Sequence, residues 1–75
     1  MKNILLSNVA RVGRFKFSRC INTETYKTVV KYGFLQGVEF QVLKISKNGI
    51  IVKVLGCKYI LNKKFAETMI VDEVE

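Results

Sequence analysis

The sequence predicts a mainly β domain: a small, strongly bent barrel of about five strands, with one short helix between strands 1 and 2 and a short helical turn before the last strand. Three observations predict it. Apolar and polar residues alternate in short runs through most of the chain, the period of a half-buried strand. Only Thr25 to Val30 carries helical spacing long enough to matter. Between that helix and the next strand, Lys31-Tyr32-Gly33-Phe34-Leu35-Gln36-Gly37-Val38 converts one into the other within a few residues. With 75 residues the chain supports a single domain, spanning 1–75, whose core is small.

In order, Ile4-Leu5-Leu6 is an apolar lead-in that ends in polar turn formers. From Arg14 to Ile21, Phe15, Phe17 and Ile21 share one parity, and Arg14, Lys16, Ser18 and Cys20 the other. Arg19 falls on the apolar parity, which predicts a bulge or a strand edge there. Asn22 or Thr23 can cap the helix that follows by accepting from its free N–H groups. In that helix Tyr26, Val29 and Val30 lie on one face, with Lys27 and Lys31 four apart on another. Gly33 sits where the helix must stop on a positive φ. Phe34 is the large apolar anchor just past that stop, and Gly37 marks a second sharp turn. We assign Gly33, Phe34 and Gly37 to shape.

The rest is strand-rich. Val38, Phe40 and Val42 alternate with Glu39 and Gln41, and the phase slips at Leu43 and Ile45, predicting a second bulge. Lys47-Asn48-Gly49 predicts a hairpin with a type I′ turn, since Asn-Gly accepts its positive φ angles. Ile50, Val52 and Val54 face one way on the returning strand. A reversal at Gly56-Cys57-Lys58 leads into Tyr59-Ile60-Leu61, Asn62 caps a turn over Lys63 to Glu67, and Met69-Ile70-Val71 closes the sheet. An acidic tail, Asp72 to Glu75, follows. Short strands with one helix in this order describe an SH3-like barrel, an architecture that hosts peptide binders, RNA binders and regulatory domains alike.

Composition narrows the function. Thirteen Lys and Arg against six Asp and Glu leave a formal charge of +7, which suits nucleic acid, anionic lipid headgroups or an acidic protein face. Cys20 and Cys57 make no disulfide framework, and without a signal peptide they read as reduced thiols in a cytoplasmic protein. The chain has no His, which argues against a zinc or iron site and against acid–base catalysis. No Ser or Cys has a general base beside it, and no glycine run follows a strand as a phosphate loop would. We therefore expect no enzyme, no catalytic residues, no cofactor and no bound metal. Arg11, Arg14 and Arg19 are available to support phosphoryl transfer in trans, and nothing in the sequence chooses among them. Arg14-Phe15-Lys16-Phe17-Ser18-Arg19 interleaves cations with aromatics, as RNA or DNA binders do. Strand parity argues against that alternative, because it puts both Phe rings on the face opposite Arg14 and Lys16. Lys58, Lys63 and Lys64 form a second basic cluster.

The chain also resembles a known family. Gly33-Phe34-Leu35-x-Gly37, then a strand and hairpin, Val52-x-Val54-x-Gly56, Tyr59-x-Leu61 and Ala66-x-x-Met69-x-Val71 follow the order of the ferrous iron transport protein A (FeoA) family. The resemblance is clearest over Tyr32 to Val71 and looser from Leu5 to Ile21. Phe34 stands where that family usually has Leu or Met, and Gln36 where Pro commonly precedes the glycine. The resemblance implies a cytoplasmic accessory protein of bacterial ferrous iron uptake, acting beside FeoB, a membrane permease with a cytosolic GTP-binding domain. The same barrel ends the iron-dependent repressors of the diphtheria toxin regulator type, and a chain starting at Met1 with no DNA-binding helices ahead favours the transport role. The expected contact group on the permease is Lys27, Lys31, Tyr32 and Leu35, with core filling as the alternative for Tyr32 and Leu35 and electrostatic adhesion to anionic lipid as an aid.

Overall fold

Alternation decides the architecture, and the computed structural model, which describes residues 3–74, shows where it is interrupted. Met1, Lys2 and Glu75, the ends of the expected domain and of its acidic tail, lie outside the described residues. Among the described residues, six strands form one antiparallel sheet: β1 (Asn3–Leu5), β2 (Gly13–Cys20), β3 (Glu39–Ser46), β4 (Gly49–Val54), β5 (Cys57–Leu61) and β6 (Met69–Glu73). Their order across the sheet is β1-β6-β2-β3-β4-β5. Helix α1 (Thr23–Val29) lies between β2 and β3, and a single helical turn, α2 (Lys63–Ala66), precedes β6. Short 3-10 turns follow β1 (Leu6–Asn8) and α1 (Val30–Tyr32). The turn α2, which follows edge strand β5, packs against the 3-10 turn that follows edge strand β1. The two edges are thereby brought round toward each other, and the sheet takes the form of a small SH3-like barrel.

The sixth strand is the departure from the sequence reading. The lead-in at Asn3–Leu5 pairs with β6, Asn3 opposite Asp72 and Leu5 opposite Ile70. The acidic tail begins later than expected, since Asp72 and Glu73 belong to β6. Both expected bulges are present. The β2–β6 register shifts between Phe17 and Arg19, and the β3–β4 register between Val42 and Lys44. The first bulge has a further effect: beyond it Cys20 packs against the core, and Ile21, expected inside, stands outside β2 and is 63% exposed.

Parity fills the interior. Phe15, Phe17, Val42, Val52, Val54, Leu61 and Val71 point inward and are buried with Leu6, Val29 and Met69. Three fully buried rings, Phe15, Phe17 and Phe34, each contribute about 1.5–3 kcal/mol by leaving water. Phe34 meets Phe17 edge-on at 5.7 Å between centroids and Phe40 at 5.1 Å. The residue expected as an anchor is therefore the hub of the aromatic core.

The hairpin turns are assigned the other way round from the sequence expectation. The β3–β4 hairpin exists, but with Ser46 opposite Gly49 its two loop residues are Lys47 and Asn48, and neither of these nor Gly49 has a positive φ, so its turn is not type I′. The β4–β5 hairpin, whose loop is Leu55–Gly56, has φ of 49° and 82° at those two residues, the signature of a type I′ turn.

Candidate functional site

The corner after α1 is assembled from the helix end inward. Asn22 accepts from the Glu24 N–H at 2.8 Å and so caps α1, with Glu24 in the first turn complementing the helix dipole. Seven residues make too short a helix to persist alone, and Val29, fully buried, supplies the anchorage. The 3-10 turn stops at Gly33, φ 107° and ψ 9°, whose N–H donates to the Val30 carbonyl at 3.1 Å. The Phe34 N–H donates to the Val29 carbonyl at 3.2 Å. Backbone bonds then stitch the corner to β2: the Gly37 N–H donates to the Phe17 carbonyl at 2.8 Å, and the Phe17 N–H to the Val38 carbonyl at 2.9 Å.

That frame decides what each expected contact residue presents. Lys27 and Lys31 are exposed. Leu35 is 48% exposed, held by its N–H donating to the Gly33 carbonyl at 3.0 Å. Tyr32 is half-buried and stacks on Tyr59 with 4.4 Å between centroids, so most of its ring braces β5 and only its margin faces solvent. Burial, then the neighbouring Cys57 side chain and Tyr32, push the Tyr59 phenol above its ordinary range.

One residue of this surface escaped the sequence reading. Leu55, at the tip of the β4–β5 turn, is 72% exposed and carries the left-handed φ that a leucine adopts only at a cost. Its side chain lies over Gly33: a Cβ built on that glycine would stand 2.7 Å from Leu55 Cδ1. Gly33 is therefore required twice, for its φ and for the space Leu55 occupies. Leu35 and Leu55 flank this glycine as exposed apolar groups, with Lys31 close by in the chain. No local signal marks Leu55, since leucine is not a turn former; only its neighbour Gly56 hinted at a reversal.

The other candidates separate. Phe15 and Phe17 are buried, so the aromatics between Arg14, Lys16 and Arg19 offer no stacking face for a nucleic acid. Arg11 pairs with Glu73 at 3.3 Å and lies 5.5 Å from the Phe15 ring centre, and Arg14 pairs with Glu39 at 3.7 Å. Arg19, turned outward at the bulge, has no acid partner among the described residues and lines a shallow depression with Tyr26 and Gln36. Cys20 and Cys57 are free thiols; burial pushes the Cys20 thiol up, against a smaller lowering by the Thr68 hydroxyl. Among the described residues no three His, Cys, Asp or Glu side chains gather as a metal site would need.

No protein-family model matches this sequence, and no curated protein does. Solved structures do match. A crystal structure of an iron uptake regulatory protein (FeoA) superposes with a TM-score of 0.85 at 21% identity, over 97% of this chain and 100% of that one. The solution structure of a FeoA-like protein from Clostridium acetobutylicum gives 0.87 at 18% identity, over 100% of this chain and 91% of that one. The manganese-activated repressor ScaR gives 0.87 at 16% identity, over 95% of this chain but 35% of the repressor, so this chain spans about a third of that regulator's length. The chain has the FeoA-like, SH3-like fold.

Proposed function

We propose that the protein is an accessory module of ferrous iron uptake, binding the cytosolic GTP-binding part of a FeoB-type permease through the α1–β3 corner. The observation that carries this reading is Leu55, kept exposed in a strained backbone conformation directly over Gly33. Strain of this kind persists where the surroundings hold it and clusters at sites of function. Around it lie Leu35 as a second apolar contact, the margin of Tyr32, and Lys27 and Lys31 as a cationic rim, an apolar centre edged by charge as protein interfaces have. The FeoA-like fold supports the uptake role, and the lack of histidine supports a binding module with no catalysis of its own. Work beside a permease places it at the cytoplasmic face of the membrane.

The test is a titration of the protein against the GTP-binding domain of the matching permease. Saturable binding is expected, weakened at least about ten-fold by Leu35→Ser with Leu55→Ser, as truncating central apolar contacts does. Lys27→Glu with Lys31→Glu should slow association and steepen with falling salt, leaving the thermal midpoint nearly unchanged. Wild-type binding by both double variants would reject this face.

A further inference from the structure

We propose that the outer face of the β3–β4–β5 meander is a docking face for an anionic lipid bilayer. The charge distribution along the chain is the first ground. Between Phe40 and Lys64 stand six lysines, at positions 44, 47, 53, 58, 63 and 64, and no acid. Four of the six acids follow, at 67, 72, 73 and 75. On the sheet, β3 to β5 carry Lys44, Lys53 and Lys58 against one acid, Glu39 at the start of β3, which pairs with Arg14, while β6 carries Asp72 and Glu73.

Register is the second ground. Arg14 lies opposite Gln41, Gln41 opposite Lys53, and Lys53 opposite Lys58, a single row crossing four strands. Val52 and Val54, either side of Lys53, point into the core, so the row faces solvent. Lys53 and Lys58 are directly opposed like charges, an arrangement that costs stability, and among the described residues neither has an acid within salt-bridge distance. The next row is Lys44, Ile51 and Ile60, and Ile60 on the edge strand is 76% exposed.

The composition of the face selects the polyanion. Phe40 is buried and Tyr59 is stacked on Tyr32, so these strands turn no aromatic ring outward for bases to stack on. Lysines are flexible point charges suited to a fluid layer of headgroups, where each cation adds to partitioning and an exposed branched side chain enters the boundary beneath. The proposal requires lipid alone, so it stands apart from the permease reading and is tested without the permease.

The test sediments the full chain with phosphatidylcholine vesicles, with and without phosphatidylglycerol, across a salt series. Binding is expected only with the anionic lipid and should fall steeply with salt, since screening acts over about 8 Å at physiological ionic strength. Each lysine is worth about five-fold in partitioning, so Lys53→Gln with Lys58→Gln should lose about 25-fold, with an unchanged or raised unfolding midpoint. Ile60→Ser should weaken binding by a factor that salt does not alter, whereas Lys27→Glu with Lys31→Glu should keep most of it. Failure to sediment with anionic vesicles at low salt overturns the proposal, as does wild-type partitioning by the Lys53/Lys58 variant. Binding to single-stranded RNA without binding to vesicles overturns it in favour of a nucleic acid.

Discussion

The two tight hairpins on either side of β4 look alike in sequence and differ in physics. One turns at Lys47-Asn48 just ahead of Gly49 and the other at Leu55-Gly56, yet only the second has the positive φ angles of a type I′ turn. In the first, the Ser46 hydroxyl donates to the Gly49 carbonyl at 3.0 Å, and the bulge at Leu43 supplies twist that the turn does not. Gly49 is there for room: a Cβ on it would stand 2.6 Å from the backbone oxygen of Leu61. A glycine can thus be demanded by the neighbouring strand and not by its own dihedrals, and an exposed leucine can hold a conformation that glycine usually takes.

This contrast can be broken most sharply at Gly49. Gly49→Ala should lose about 2–3 kcal/mol, since the obstructing atom is backbone and cannot step aside, and the thermal midpoint should fall by roughly 10 °C or more. A midpoint within a degree or two would show that β5 does not press on β4 as described. Next comes Gly33→Ala, expected to cost about 1–2 kcal/mol for its φ of 107°. Measured again with Leu55→Ala, part of that cost should disappear, a non-additivity that reports the contact between the two. Leu55→Asn should act in the opposite direction, raising stability by about 1 kcal/mol in denaturant while weakening binding to the permease domain. If Leu55→Asn binds undiminished, the strain serves something else. The smallest effect belongs to Asn48→Ala, within about 0.5 kcal/mol, because no left-handed residue is needed there.

Much of this contrast was legible and part was not. Phase slips announced both bulges, at Arg19 and near Leu43, because a register change must shift parity. Caps at Asn22 or Thr23 and at Asn62 followed from side chains that reach free N–H groups; the structure puts the first at Asn22, and the second accepts from the Phe65 N–H at 3.0 Å. β1 was not legible, since three residues carry no period and their partner lies at the other end of the chain. The turn exchange was hidden because Asn-Gly states a local preference that a contact across strands overrode. For the candidate site, exposure of Lys27 and Lys31 followed from helical spacing, whereas Leu55 over Gly33 joins residues that no local pattern connects. The row from Arg14 to Lys58 needed register, which depends on where each hairpin turns.

The position of β6 bears on how the chain reaches this state. Strands β3, β4 and β5 are joined by two-residue turns and can zip locally within microseconds of each reversal. β6 must instead slot between β1 and β2, bringing Asn3 beside Asp72 and Cys20 beside Met69. Those closures span most of the chain, so their entropy is spent before their contacts are made, and folding is slowed accordingly. Until that strand arrives, Met69, Ile70 and Val71 have no interior to enter, and the β1 and β2 edges they will join stand open. The meander is thus the seed of the barrel and β6 its keystone.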